Sequence, residues 1–236
     1  MTAFSARVKG DVVDAADVAD VADVAAEDSP PRRKQHIRQA AETDILRAAE
    51  VVFARTGFSG ATMAEIAELS GLPKANLHYY FRTKEALYRA VLDYTLTLWL
   101  AETDGIRDDA HPAQALAEYI RAKMRLTATH PDASRVFANE MLHGAPHIGG
   151  YLRNELKALV DEKARVLAHW AVRGLMDRVD ARHLFFTIWA ATQTYADFQP
   201  QVCAVLGKPT LTRAELTRAT AQLVTLVLKG CGVRSA

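Results

Sequence analysis

The chain has 236 residues, half of them apolar, so it is long enough to bury one large core or two smaller ones. Glycine and proline are sparse, at 12 and 8 residues, which favours an all-α fold. The two cysteines, Cys203 and Cys231, exclude a disulfide framework, and a formal net charge of +1 excludes a uniformly basic surface.

No apolar run approaches about 18 residues, and the N-terminus lacks the basic flank and apolar core of a signal peptide. We therefore expect no membrane partner and a cytoplasmic location. The sequence also lacks a nucleophile elbow, a Gly-rich phosphate loop and paired catalytic carboxylates. His143 and His147 are spaced like a metal pair, but Gly144 and Pro146 between them break helical geometry. These features predict no catalytic residues, no metal and no cofactor.

Residues 1–31 are predicted to form a disordered acidic arm. Its composition is a short repeat of Asp, Val and Ala with too little apolar bulk to support a core. Acidic residues outnumber Arg7 and Lys9 there: Asp11, Asp14, Asp17, Asp20, Asp23, Glu27 and Asp28. Two interpretations stay open. The arm either competes with DNA for a basic surface or is inert, for example as an overlong start assignment.

A predicted DNA-binding domain, residues 32–88, begins with the basic cluster Arg32, Arg33, Lys34 and Arg38. Such an arm commonly contacts phosphates or the minor groove, although it is equally compatible with a solvated helix start. The first helix is predicted from Arg38 to Arg55. Its buried stripe is Ile45, Ala48, Ala49, Val52 and Phe53.

The stretch from Thr62 to Lys84 predicts two short helices around a tight turn. Thr62 followed by Glu65 is a capping box that starts a helix at Met63. The apolar face of that helix is Met63, Ile66, Ala67 and Leu69. Gly71 suits a left-handed turn, and a second helix begins near Pro73, with Leu77 and Phe81 directed inward.

The outer face of the second short helix is unusual for a solvated surface, because it carries Lys, Asn, His and two Tyr. These side chains suit a helix that enters a DNA major groove. We expect base approach from Lys74, Ala75 and Asn76. We expect phosphate contacts from Thr62, His78, Tyr79, Tyr80 and Lys84.

Several features in order resemble the DNA-binding domain of TetR-family repressors. They are the Gly57-Phe58 turn, the Thr62 cap, the Ile66-Ala67 pair, the Gly71 turn, the Tyr79-Tyr80-Phe81 end and Lys84-Glu85-x-Leu87. The resemblance implies a dimeric repressor that binds DNA in its ligand-free form.

Residues 89–236 are predicted to form a ligand-binding and dimerisation domain of successive helices. Thr83 caps a connecting helix, Lys84–Ile106, that links the two domains. The following helices are predicted over 113–129, 132–142, 147–172, 181–199 and 212–229. The fourth of these, LFFTIWAATQTYADF at its centre, is apolar almost all round, which favours burial against both a pocket and a partner. The last two helices are therefore predicted to form a four-helix bundle in a homodimer.

The second domain resembles the pyrimidine-utilisation branch of the family, through SRVFANEML, LKALVDEKARVLAHW and FTIWAATQTYADF. The resemblance implies uracil or thymine as effector. An amide pairs well with a pyrimidine edge, so Gln193 is a candidate contact, and Trp189 on the same face is a candidate for ring stacking. Candidate walls are Trp99, Phe137 and Met141. Each of these residues is also compatible with plain core, and Gln193 with a bond to a neighbouring helix or a dimer mate.

Together these features predict a homodimeric, ligand-responsive repressor that binds a palindromic operator and is released by a small planar effector. Two alternatives stay open. One is a repressor of the same fold tuned to another small apolar or aromatic effector. The other is a small-molecule binding protein whose DNA-reading helices have lost their function.

Overall fold

The computed structural model describes residues 30–234, with side chains from Arg38 onward, and no strand occurs in that range, which confirms the all-α prediction. The acidic arm and the side chains of Arg32, Arg33 and Lys34 lie outside the described residues. Among the described residues, the chain divides into two units between Asp44 and Ile45. The helices are α1 (Pro30–Gly60), α2 (Met63–Leu69), α3 (Lys74–Tyr80), α4 (Lys84–Ala101), α5 (Pro112–Thr129), α6 (Pro131–Leu142), α7 (Gly149–Tyr151), α8 (Lys157–Val172), α9 (Ala181–Asp197), α10 (Gln199–Leu206) and α11 (Arg213–Gly230).

Helix α1 extends beyond both ends of its predicted span. A kink at Gly57, with φ 69° and ψ 176°, interrupts it, yet the amide of Ala61 still donates to the Gly57 carbonyl at 3.2 Å. Helical hydrogen bonding therefore continues to Gly60. The predicted stripe is confirmed as core: Ile45, Ala48, Ala49, Val52 and Phe53 are all buried.

The short helices α2 and α3 are separated by the predicted turn, and α2 begins at the predicted cap. The Thr62 hydroxyl accepts from the Glu65 amide at 3.2 Å, and Gly71 adopts φ 69° in the turn. The Glu65 carboxylate pairs with Arg55 instead of returning to the cap, so only half of the capping box forms. Leu69 was predicted to face the core and is 52% exposed, because a seven-residue helix buries only its Ile66-Ala67 turn.

Helix α4 is shorter than predicted and ends at Ala101 instead of Ile106. The Thr103 hydroxyl donates to the Leu100 carbonyl at 2.7 Å, and the Ile106 amide donates to Thr103 at 2.9 Å. These turn bonds replace the helical ones. The start is as predicted, since the Thr83 hydroxyl accepts from the Ala86 amide at 3.1 Å.

In the second domain α5 is the central helix, packed against α6, α9 and α11. The helix predicted over 147–172 contains a π-helical turn at Leu152–Leu156 between α7 and α8. The helix predicted to reach Gln199 ends at Asp197, because Phe198 leaves helical geometry with φ −115° and ψ 29°. A separate helix, α10, follows it.

Candidate DNA-reading face and effector cluster

Helix α3 presents its polar residues to solvent. Leu77 is fully buried and fixes the helix on the core, which leaves the opposite side free. The side chains on that side are exposed at Lys74, Ala75, Asn76, His78 and Tyr79, and half-buried at Tyr80. Tyr79 and Tyr80 meet edge to face at 5.4 Å, so the two rings stiffen one another at the C-terminal end of the helix. This surface has the shape and the donors needed for a groove of DNA.

Thr62 and Lys84 have structural partners as well as an accessible position. The hydroxyl of Thr62 caps α2. The Lys84 ammonium donates to the carbonyls of Ser59 and Ala61, at 3.2 and 2.9 Å, and lies 4.8 Å from the centre of the Phe58 ring. Lys84 therefore joins the start of α4 to the segment that leads into α2, and its positive charge stays beside the reading face.

A buried lysine dominates the interior of the second domain. Lys123 on α5 is only 2% exposed, and its ammonium lies 3.8 Å from the centre of the Trp99 ring. Burial lowers the pKa of Lys123 to about 7, while the nearby carboxylates of Asp197 and Glu102 oppose that shift. A cation in this position is costly unless a ligand or a neighbour compensates it.

Asp197 lies at the end of α9 next to this lysine. Its carboxylate accepts a hydrogen bond of 2.6 Å from the Ser134 hydroxyl on α6. Burial raises the pKa of Asp197, and the hydrogen bond from Ser134 and the charges of Arg135 and Lys123 act against that effect. Asp197 and Lys123 are thus close enough for the charge of each to affect the pKa of the other.

Gln193 lies on α9 between Trp189 and Asp197. Trp189, Gln193 and Asp197 follow at intervals of four residues, so they share one face of α9. The Trp189 indole donates to the Tyr119 hydroxyl at 2.7 Å, and Asp197 interacts with Lys123, so that face is turned towards α5. The half-buried Gln193 is therefore placed between the two contacts. We call Trp99, Lys123, Ser134, Gln193 and Asp197 the effector cluster.

The predicted ligand residues divide between this cluster and other packing. Phe137 on α6 meets Trp99 edge to face at 4.9 Å, which places it beside the effector cluster. Trp189 packs against Phe185 and Phe186 and is held by Tyr119. Met141 packs against the core that contains α1 to α4. Of the predicted ligand residues, only Trp99 and Phe137 are therefore seen in contact with each other, and the set stays a prediction.

Lys123 and Ser134 were not predicted as ligand contacts, whereas the sequence predicts Asp197 either as a second polar group of the site or as a surface residue at the dimer edge. One signal was present, because Lys123 falls within the buried stripe of α5, between Ile120 and Met124. A lysine at a core position is rarely buried without a compensating group. That group cannot be identified from the sequence, because it depends on how α9 packs against α5.

The surface formed by α9 and α11 is strongly apolar. A groove of about 460 Å³ runs between them, lined mainly by aliphatic side chains that include Leu184, Leu223 and Val227. Next to it Phe186 is 51% and Leu226 55% exposed. Contiguous apolar exposure of this kind is typical of a protein–protein interface.

Within residues 30–234, no helix is both long and apolar enough to cross a membrane. Over the same range, no three His, Cys, Asp or Glu side chains gather as a metal site would require. His147, one of the two spaced histidines, contacts the Glu140 carboxylate instead.

Comparisons with known proteins agree with this architecture. Residues 45–91 match the family of bacterial regulatory proteins, tetR family, and residues 92–234 match the C-terminal region of YcdC-like proteins. The HTH-type transcriptional regulator RutR of Escherichia coli (strain K12) is 50% identical over 163 residues, which cover 69% of this chain and 77% of RutR. The transcriptional repressor NicS of Pseudomonas putida is 31% identical over 64% of this chain and 69% of its own.

Solved structures show the same fold. A transcriptional regulator from Streptomyces coelicolor, SCO4942, superimposes with a TM-score of 0.64 at 28% identity, covering 82% of this chain and 99% of its own. A tetR-family regulatory protein from Rhodococcus RHA1 gives 0.65 at 21% identity, over 83% and 98%. The helix-turn-helix surface, the helical second domain and these matches agree: the chain belongs to the TetR family of transcription regulators, which are DNA-binding proteins and not enzymes.

Proposed function

We propose that this regulator is a cytoplasmic repressor that binds a palindromic operator as a homodimer and is released by a small planar effector, a pyrimidine such as uracil or thymine. The observation that supports this proposal most is the effector cluster. It contains a hydrogen-bond donor, Lys123, beside the Trp99 ring, and a hydrogen-bond acceptor, Asp197, bonded to Ser134. The resemblance of the second domain to the pyrimidine-utilisation branch of the family supports the same effector.

The chemistry of the cluster suits a pyrimidine edge. Uracil and thymine alternate C=O acceptors and N–H donors around a flat ring. Lys123 supplies a donor for a carbonyl, Asp197 supplies an acceptor for an N–H, and Gln193 offers both. Trp99 and Phe137 supply flat walls. A buried ammonium costs free energy without such a partner, so a ligand whose carbonyl accepts from Lys123 binds favourably.

On the DNA side, the exposed face of α3 reads bases, while Thr62, His78, Tyr79, Tyr80 and Lys84 fix the register on phosphates. A dimer through α9 and α11 covers their apolar surface and presents two copies of α3. Two reading helices about 34–36 Å apart match successive major grooves of a palindrome. The effector acts by binding a state with the wrong separation more tightly than the DNA-binding state.

Thermal unfolding with a small panel of compounds tests the effector directly. Uracil or thymine at a hundred times its dissociation constant adds about 2.7 kcal/mol, which raises the melting temperature by roughly 5–10 °C. Lys123→Met keeps the apolar stem and removes the ammonium, so the shift should disappear. Because burial lowers the pKa of Lys123 from 10.5 to about 7, the natural protein loses stability as pH falls from 10.5 to about 7, and the whole cost is present at pH 6. This variant lacks that cost and should itself melt higher at pH 6.

Loss of the shift in Lys123→Met is therefore not explained by unfolding. Glu118→Gln, at an exposed position on α5, serves as the matched control and should keep the shift. An absent shift with both pyrimidines in the natural protein would contradict the pyrimidine assignment.

A second candidate within the same class is an aromatic carboxylate effector, because Lys123 provides a buried cation that an anion would pair with. Adding benzoate-like and pyridine carboxylates to the thermal panel separates the two. Pyrimidine binding predicts a shift with neutral rings only, and the alternative predicts a shift with carboxylates only.

A further inference from the structure

Helix α6 connects the effector cluster to the DNA-binding domain. Near its N-terminus Ser134 donates to Asp197. Near its C-terminus Glu140 lies close to Tyr88 of α4 and contacts His147, whose ring packs on Phe58 at the end of α1. Ser134 and Glu140 are both buried and lie six residues apart on one continuous helix, so a displacement at one of them moves the other. At the C-terminal end of α6, these contacts are made by Glu140.

Glu140 is a buried carboxylate, 2% exposed, with neighbours on two elements. The amide of His147 donates to its Oε1 at 2.6 Å, and the His147 ring nitrogen Nδ1 lies 3.0 Å from Oε2. Tyr88 on α4 lies close to Glu140, and burial followed by the charge of Glu140 raises the pKa of Tyr88. A carboxylate this deeply buried is held firmly by such bonds, because losing one leaves a charge uncompensated.

The loop between α6 and α7 is shaped to deliver His147 to this carboxylate. Ala145 adopts φ 56°, a left-handed conformation that is unfavourable for a residue other than glycine. Its amide donates to the Glu140 carbonyl at 2.8 Å. Ile148, the next residue after His147, is buried in the same core as α1 to α4. The loop is therefore docked on the DNA-binding domain.

The His147 ring completes the contact with that domain. It packs on Phe58 at 4.8 Å and on Tyr88 at 5.0 Å between ring centres. The Phe58 ring also receives the Lys84 ammonium, which in turn binds the carbonyls of Ser59 and Ala61. Residues 58–61 lead directly into Thr62, the cap of α2.

We propose that Glu140 and His147 form a clasp that transmits the position of α6 to residues 58–61 and so sets the placement of the reading helices. The inference deepens the proposed function, on which it rests for the meaning of the movement. His147 and Glu140 are positioning residues, because they contact neither DNA nor the effector cluster. When α6 shifts at Ser134, the clasp carries the shift to Phe58 and the start of α2.

A double-mutant cycle in the full chain tests the coupling without DNA or effector. Ser134→Ala breaks the bond between α6 and α9, and His147→Ala opens the clasp. Hydrogen exchange by mass spectrometry on peptides covering residues 57–62 reports the Ala61-to-Gly57 bond. Glu140→Gln, which keeps the shape and one acceptor, is a second way to weaken the clasp. His143→Ala, in the same loop but exposed, is the matched control.

The expected result is faster exchange of residues 57–62 in Ser134→Ala, an effect that is lost when His147→Ala is already present. Non-additivity of about two-fold or more in the exchange rate marks the coupling. The His143→Ala background should preserve the full Ser134→Ala effect. Additive effects, or no response of residues 57–62 to Ser134→Ala, would overturn the clasp. Failure of the proposed function is distinguishable, because it appears as absent operator binding by the natural protein.

Discussion

Two buried ionisable side chains, Glu50 on α1 and Lys123 on α5, have pKa values of about 7 for the same physical reason. Burial penalises the charged form of each, which raises the pKa of the carboxyl and lowers that of the ammonium. Their settings differ. Lys123 lies among hydrogen-bonding groups of the effector cluster, whereas Glu50 Oε1 has no hydrogen-bond partner within the described part of the chain.

Glu50 makes stability depend on pH. Burial, followed by the charge of Asp132, raises its pKa from 4.5 to about 7, against the opposing charge of Arg47. The folded chain therefore keeps a proton that the unfolded chain loses near pH 4.5. That contribution is fully present below pH 4.5 and is lost as pH rises through 7. The free energy of unfolding should fall by up to about 3 kcal/mol across this window.

Glu50→Gln should remove this slope and be more stable than the natural protein at pH 8. Urea denaturation at several pH values between 4.5 and 8 measures it. Glu68→Gln, at an exposed position on α2, controls for the substitution itself. An unchanged slope in Glu50→Gln would show that another group causes the pH dependence.

For single residues, the sequence predicts those interactions that join residues close together along the chain. The caps at Thr62 and Thr83 follow from residues two or three positions away, and both are confirmed. The pairing of Lys123 with Asp197, or of Glu140 with His147, depends on how helices and loops pack. Sequence alone does not contain that information.

In the proposed function, helix α3 contacts bases and the start of α4 contacts a phosphate. Lys74→Ala should mainly reduce discrimination between the operator and a mutated operator, by about 1–3 kcal/mol. Lys84→Ala should weaken binding to all DNA alike and reduce the salt slope by about one. Fluorescence anisotropy over a range of salt concentrations measures both.

Replacing Lys84 should affect the stability of the fold as well as DNA binding. Its ammonium bonds the carbonyls of Ser59 and Ala61, so Lys84→Ala should also lower stability by about 1–3 kcal/mol. Lys84→Arg keeps a charge and donors, and it separates the phosphate effect from the structural one. An equal loss of specificity in Lys74→Ala and Lys84→Ala would contradict the assigned roles.

Helix positions are largely predictable from apolar spacing, and helix ends are less so. The stripe of α1 and the core of α5 lie where the periodicity predicts. The ends of α4 and α9 differ from prediction because side-chain hydroxyls and a single non-helical residue, Phe198, override the pattern. The mistake at Leu69 has the same origin, since a short helix has little face to bury.

At the scale of the whole molecule, the apolar surface of α9 and α11 requires a partner in the proposed account. Leu226→Asp places a charge in the centre of that surface and should give a monomer with weak, half-site DNA binding. Sedimentation velocity measures the mass. Val172→Asp, on the 80% exposed end of α8, should remain dimeric. A dimeric Leu226→Asp would place the interface elsewhere.

The predicted dimer interface lies on α9 and α11. An α9 that is apolar almost all round predicts burial on two sides, and Phe186 and Leu226 remain half exposed in the isolated chain. The interface itself stays a prediction, because one chain does not contain the second subunit's contacts.

The most direct test of the central claim is a titration of operator DNA, taken from the upstream region of its own gene, with the protein and then with uracil or thymine. We expect the natural protein to bind the operator as a dimer, saturably and with an affinity that falls as salt rises. Adding the pyrimidine should abolish this binding, whereas Lys123→Met should stay bound in the presence of the pyrimidine. Binding that persists with saturating pyrimidine, while thermal unfolding shows that the pyrimidine is bound, would contradict it.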